Sequence, residues 1–143
     1  MAYKNKFFPQ NLSKYEGDPT KINCRSLWER KFCKFLDTSK NIIRWSFEPF
    51  KIPYISPVDN QLHHYIPDFI IEKKNKDGTI ETMLVEIKPE KQTKPPEKGK
   101  KSKKNFLNES LTYEINAQKW RSAQDFCKKH NIKFKILTEK EIF

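Results

Sequence analysis

The chain has 143 residues and a formal net charge of +11, with 29 Lys and Arg against 18 Asp and Glu. That length suits one domain with a useful core, and the charge calls for a polyanionic partner, nucleic acid before membrane. Eleven Phe, five Tyr and three Trp exclude a disordered chain. No apolar run approaches the ~20 residues of a membrane span, and three scattered cysteines exclude a disulfide framework.

Met1 to Lys6 is not followed by the apolar core of a signal peptide, so use inside a cell is expected. Residues 1–20 hold Phe7-Phe8-Pro9 and Gly17-Asp18-Pro19. Turn formers dominate there, which predicts an irregular arm docking through Phe7, Phe8 and Tyr15. From Lys21 to Asp37, Leu27, Trp28, Phe32, Phe35 and Leu36 recur at three- and four-residue steps, predicting a helix with Asn23 as its cap. Glu29 shares a face with Cys33 and Leu36 rather than with Lys31 and Lys34. Helical geometry alone favours an exposed charge paired with Arg25 or Arg30. Cys24, Cys33 and Cys127 read as small core residues.

Asn41 to Ile52 reads as a strand, and Pro49 and Pro53 put it at an edge or a bulge. Ser56 to Asn60 turns the chain back into Leu62–Glu72. Pro67 interrupts that ladder just before Asp68, and such breaks let a carboxylate leave the regular pleat. His63 and His64 face opposite sides of a strand and cannot chelate one ion together.

Tyr65–Glu72 and Met83–Lys88 flank Asn75-Lys76-Asp77-Gly78, a strong hairpin signal. A turn centred near Asp77 sets Asp68 opposite Glu86, and Lys88 falls on the face of Glu86. Three charged groups then converge at one end of an otherwise apolar hairpin. Such groups are rarely buried without partners. Two carboxylates and a main-chain carbonyl, here that of Ile87, form an oxygen site suited to Mg²⁺ or Mn²⁺. A nearby lysine can stabilise developing negative charge or help deprotonate a water. A surface salt bridge on an exposed hairpin is the other reading of the same residues.

Residues 89–104 carry Lys91, Lys94, Lys98, Lys100, Lys101, Lys103 and Lys104 among prolines and a glycine. They form either a solvated linker or a mobile basic loop that tracks a phosphate backbone. Asn105 to His130 is helical, with a break expected at Asn116 acting as a second N-cap. Lys119 and Arg121, in the first turns after that cap, would oppose the helix dipole and face an anion instead. Ile132–Thr138 is the last strand, and residues 139–143 add a helical turn.

Pro67-Asp68 and Glu86-Ile87-Lys88 resemble the PD-(D/E)XK nuclease signature. The setting of Tyr65–Phe69 and Leu84–Lys88 on neighbouring strands resembles the branch of TnsA-type transposon-end endonucleases. Asn11–Tyr15, Gly17-Asp18-Pro19, Arg25-Ser26, Trp28-Glu29, Glu86–Pro89, Pro95-Pro96, Lys119-Trp120 and Ile132–Phe134 are similar to the head-completion nucleases of T-even-like tailed phages.

The predicted elements run helix, strand, strand, strand, helix, strand, an α/β core with a mixed sheet flanked by helices. This order, αβββαβ within a single domain over residues 21–143, matches the core that the resemblance implies. The resemblance implies a Mg²⁺-dependent DNA endonuclease, with Asp68, Glu86 and the Ile87 carbonyl on the metal, Lys88 on the attacking water and Glu29 completing the carboxylate shell. It also implies double-stranded DNA as substrate, portal or neck proteins as partners, and work in the infected host cell or the virion. Two further classes stay open: a non-catalytic DNA-binding head protein, and a repair or transposition nuclease.

Overall fold

The computed structural model describes residues 5–142. The first four residues of the expected arm, and Phe143 of the expected final turn, lie outside them. Short strands β1 (Asn5–Lys6) and β2 (Asn23–Cys24) pair antiparallel. The arm docks through Phe7, which is buried, and through Tyr15, whose ring lies 4.7 Å edge-on from that of Trp45. Phe8 is 66% exposed and does not dock, contrary to expectation. Alternation along an extended segment turns it away from its neighbour's side.

Helix α1 spans Leu27–Thr38, starting six residues later than the periodicity predicts. Ser26, not Asn23, is the cap: its Oγ accepts the Glu29 N–H at 3.1 Å. The Glu29 carboxylate in turn accepts the Arg25 N–H at 3.1 Å, a near variant of the capping box. Asn23 and Cys24 are committed to β2, so they cannot also start the helix.

The central sheet has four strands in the order β3-β6-β7-β8: β3 (Ile42–Phe47), β6 (Phe69–Lys74), β7 (Ile80–Ile87) and β8 (Lys133–Leu137). The first three are antiparallel and β8 runs parallel to β7, so the sheet is mixed. The expected strand Asn41–Ile52 is two elements. β3 stops at Phe47, and β4 (Ile52–Ile55) pairs with β5 (Leu62–Tyr65) in a separate hairpin. The expected strand Leu62–Glu72 is likewise split between sheets at Ile66-Pro67-Asp68, where Pro67 offers no ladder donor.

The β6–β7 turn forms as the Asp-Gly signal predicts. Gly78 has φ +87°, and Asp77 Oδ1 accepts the Thr79 N–H at 2.9 Å. Its register pairs Phe69 with Val85, which sets Asp68 across from Glu86.

Helix α2 runs unbroken from Lys103 to Lys129, capped by Ser102, whose Oγ accepts the Asn105 N–H at 3.2 Å. The break expected at Asn116 is absent. Asn116 is buried in mid-helix, so no helix start lies near Lys119 or Arg121 and the dipole argument for them fails. Lys103 and Lys104 belong to the first turn of α2 rather than to the loop before it. A short helix, α3 (Glu139–Ile142), closes the described chain.

The sheet divides two cores. Trp45, Phe47, Phe69, Ile71, Val85 and Ile87 face α1 and the N-terminal segment. Leu84 faces α2 and the β4–β5 hairpin, among Ile52, Tyr54, Tyr65, Ala123 and Cys127. All three cysteines are free and buried, as core residues. No described helix is long and apolar enough to cross a membrane.

Candidate active site

Three strand ends meet where the sheet stops. Because the chain leaves the ladder at Pro67, the Asp68 main chain and side chain bond in different directions. Its carbonyl accepts the Glu48 N–H, just past β3, at 2.8 Å. Its Oδ2 accepts the Ile87 N–H, at the end of β7, also at 2.8 Å. The aspartate is thus held from both neighbouring strands. Glu86 lies on the face of Leu84, toward α2, and is only 7% exposed. Its Oε2 is shut from solvent and has no hydrogen-bond partner. Lys88, half-buried on the same face, is anchored by its N–H to the Leu137 carbonyl at 3.0 Å.

Burial is the main influence on these charges. It pushes the Asp68 carboxyl up to about 7, opposed by the Ile87 N–H and reinforced by Glu29. It pushes Glu86 up to about 9, reinforced by Asp68 and opposed by Lys88 and Lys119. Two carboxyls this close cannot both ionise cheaply, so the pair titrates together and retains a proton near neutrality. The Tyr65 hydroxyl, buried and without a partner, lies within the field of both, and burial followed by the two carboxylates pushes it up as well.

Among the described residues no three His, Cys, Asp or Glu side chains gather as a metal-binding group. The two carboxylates nevertheless fit a hard divalent cation when joined by a main-chain carbonyl and waters. The orphaned Glu86 Oε2 is the specific observation, since a buried acceptor with no donor is costly unless something positive meets it. Asp68, Glu86 and the Ile87 carbonyl are the atoms that could hold it.

Asp68, Glu86 and Lys88 come together as the sequence predicts. Glu29 stands at the edge, close enough to raise Asp68, while its carboxylate also serves the start of α1. Lys119 reaches the site for a reason the sequence did not reveal. Its ammonium lies 5.7 Å from the Tyr54 ring centroid and 5.9 Å from that of Tyr65. Burial, then Lys88, lowers its pKa, and Glu86 opposes them. Arg121 is exposed and, two residues on, turns about 200° around the helix from Lys119.

Loop lysines differ among themselves. Lys94 and Lys101 pair with Glu90 and Glu109, and Lys98 Nζ donates to the Lys101 carbonyl at 3.1 Å. Lys91, Lys100, Lys103 and Lys104 are exposed and form no ion pair among the described residues.

Glu48 was not anticipated. It is half-buried opposite Asp68, with φ +47°, and its carboxylate meets Arg25 at 3.3 Å. Burial raises its pKa, Arg25 opposes and Glu29 adds to the rise. A left-handed non-glycine residue here is strained, and the strain falls beside the site. The β3–β6 register sets Glu48 across from Asp68, so the signal was available only once those strands were paired.

A mixed sheet with an aspartate and a Glu-Ile-Lys segment on adjoining strand ends, flanked by helices, defines a nuclease of the PD-(D/E)XK-type fold. The chain belongs to the family described as TnsA-like endonuclease N terminal, which matches residues 39–139. That span holds the sheet, the β6–β7 hairpin and α2, and begins after α1. The chain is also 42% identical to the head completion nuclease of Enterobacteria phage T4, over an alignment covering 97% of this chain and 93% of that protein.

Proposed function

We propose that this chain is a metal-dependent DNA endonuclease that processes packaged DNA ends at phage head completion, before a tail joins. The observation carrying it is the buried, unpartnered Glu86 Oε2 beside Asp68 and Lys88. Asp68, Glu86 and the Ile87 carbonyl would hold Mg²⁺ or Mn²⁺, which when bound lowers the pKa of water and offsets charge on the scissile phosphate. Lys88 Nζ positions or activates the attacking water and offsets negative charge as it develops. Glu29 completes the carboxylate shell, and Lys119 faces the phosphate.

Double-stranded DNA is the substrate class, held through phosphates by Lys91, Lys94, Lys98, Lys100, Lys101, Lys103, Lys104 and Arg121 rather than by base readout. The division into an arm, residues 1–20, and a nuclease domain, residues 21–143, belongs to this reading. So do portal or neck proteins as docking partners and work in the infected cell, with the virion as the final location. The full-length similarity to a protein named head completion nuclease supports the assembly role.

Incubation with linear and nicked DNA tests the chemistry. Cleavage should require Mg²⁺ or Mn²⁺, stop with EDTA, and be lost in Asp68→Ala and Glu86→Ala while DNA affinity stays within about tenfold. Cleavage by either variant at the parent rate overturns the metal site. Complementation of phage lacking the protein tests the assembly role. Restoration of tail joining by Glu86→Ala would make the chain a structural DNA-binding head protein instead.

A further inference from the structure

Between the 91–101 loop and α2 lies a cavity of about 990 Å³. Pro95, Pro96 and Tyr113 give it apolar surface, Lys91 and Lys100 stand on its rim, and Asn116 lines it. The Lys101–Glu109 ion pair ties the loop to the helix, so the wall is held in place.

Asn116 is the informative residue. It is 8% exposed, sits in mid-helix, and its side-chain amide makes no hydrogen bond to any described residue. A carboxamide carries two donors and an acceptor, and those of Asn116 are not among the polar atoms shut off from solvent, so they open onto the cavity that the residue lines. The cavity is where they can be used.

Its direction follows from helical spacing. Glu109, Tyr113 and Asn116 all line it at three- and four-residue steps, and Lys119 continues that stripe. Tyr113 is six residues, about 9 Å of helix rise, before Lys119. Lys119 in turn lies in the field of Glu86 and Lys88. One helix face therefore joins the cavity to the candidate active site.

The groups match the parts of a nucleotide. An aromatic ring stacks a base, a carboxamide meets its edge, and unpaired ammonium groups meet phosphate. A volume of about 990 Å³ is that of a small-molecule site, too small for a duplex. A base inside a duplex is already stacked and paired, so it offers neither its face nor its pairing edge. We propose that this cavity receives an unpaired nucleotide at the end of the DNA substrate, its base against Tyr113 and Asn116 and its phosphates near Lys91 and Lys100. The inference rests on the nuclease reading and narrows it to ends bearing a single-stranded extension.

The test is a binding ratio measured in EDTA, so that it does not depend on cleavage. Fluorescence anisotropy compares a blunt hairpin duplex with the same duplex carrying a short single-stranded tail, for the parent, Tyr113→Ala, Tyr113→Trp and Asn116→Ser. The parent should favour the tailed DNA. Tyr113→Ala should reduce that preference by roughly fivefold to a hundredfold, the range of one base–aromatic stack, and Tyr113→Trp should keep it. A 2-aminopurine in the tail should be quenched by the parent and not by Tyr113→Ala. Thermal melts establish that each variant is folded, and Asn116→Ser retains a polar group should Tyr113→Ala fail to fold.

Equal affinity of the parent for blunt and tailed DNA overturns the proposal, as does a preference that survives Tyr113→Ala. A free deoxynucleoside monophosphate that displaces tailed DNA at comparable concentration also overturns it, in favour of a mononucleotide site. Mg²⁺-dependent cleavage is scored separately. Cleavage without tail preference removes this inference alone, and tail preference without cleavage removes the nuclease reading alone.

Discussion

Replacing Glu86 by glutamine should stabilise the metal-free protein above neutral pH, although it removes a residue the chemistry needs. Glutamine matches glutamate in shape and carries no charge to desolvate. Burial holds the Glu86 carboxyl at about 9 in the folded chain, against an ordinary value of 4.5. Between those values the folded state keeps a proton that the unfolded state has released. Stability from this group is therefore complete at low pH and is lost as pH rises through that window. The slope is at most about 1.4 kcal/mol per pH unit. From about pH 5 to about pH 8 the ceiling is ~4 kcal/mol.

Relaxation and water penetration around a buried ion make about half of that a reasonable expectation. In a chain this size that is roughly 5–10 °C in Tm. Urea unfolding or calorimetry in EDTA, across that pH range, should show the parent losing stability and Glu86→Gln losing much less. Divalent cation should restore the parent by mass action and leave the variant unchanged. A parent whose stability is flat over the range, or a glutamine variant that is the less stable at the alkaline end, refutes the argument that Glu86 is a desolvated, unpaired carboxyl.

Three other outcomes follow from the geometry. Replacing Lys91, Lys100, Lys103 and Lys104 by Ser should weaken DNA binding and flatten the plot of log affinity against log salt by about one unit for each phosphate no longer neutralised. Parallel plots would make this stretch a solvated linker. Ser26→Ala removes the α1 cap and should cost about 1 kcal/mol by chemical denaturation, with Ser26→Asp recovering most of it. Trp45→Ala, in the core between β3 and the N-terminal segment, should cost about 3–5 kcal/mol, read from the same curves.

The candidate site was legible in the sequence because a hairpin is local. Asp77-Gly78 specifies its turn, the turn specifies the register, and the register puts Asp68 across from Glu86 with Lys88 on the same face. The apolar run through Val85 and Ile87 likewise marked the hairpin as buried, and the observed sheet buries it on both faces. The mixed sheet flanked by helices followed from the order of such elements.

What the tertiary structure decided is long-range. Glu48 meets Asp68 through the β3–β6 pairing, which joins residues 20 apart and leaves no periodic mark at Glu48 itself. Lys119 approaches Glu86 because the β4–β5 hairpin packs Tyr54 and Tyr65 against α2. Asn116 looked like a cap because Asn favours helix starts when exposed. Continuous packing of α2 kept the helix intact through it and left its amide without a partner on the wall of a cavity. Local chemistry writes turns and strand faces into the sequence. Which polar groups end up without partners depends on what distant segments cover, and that is settled only when the chain closes on itself.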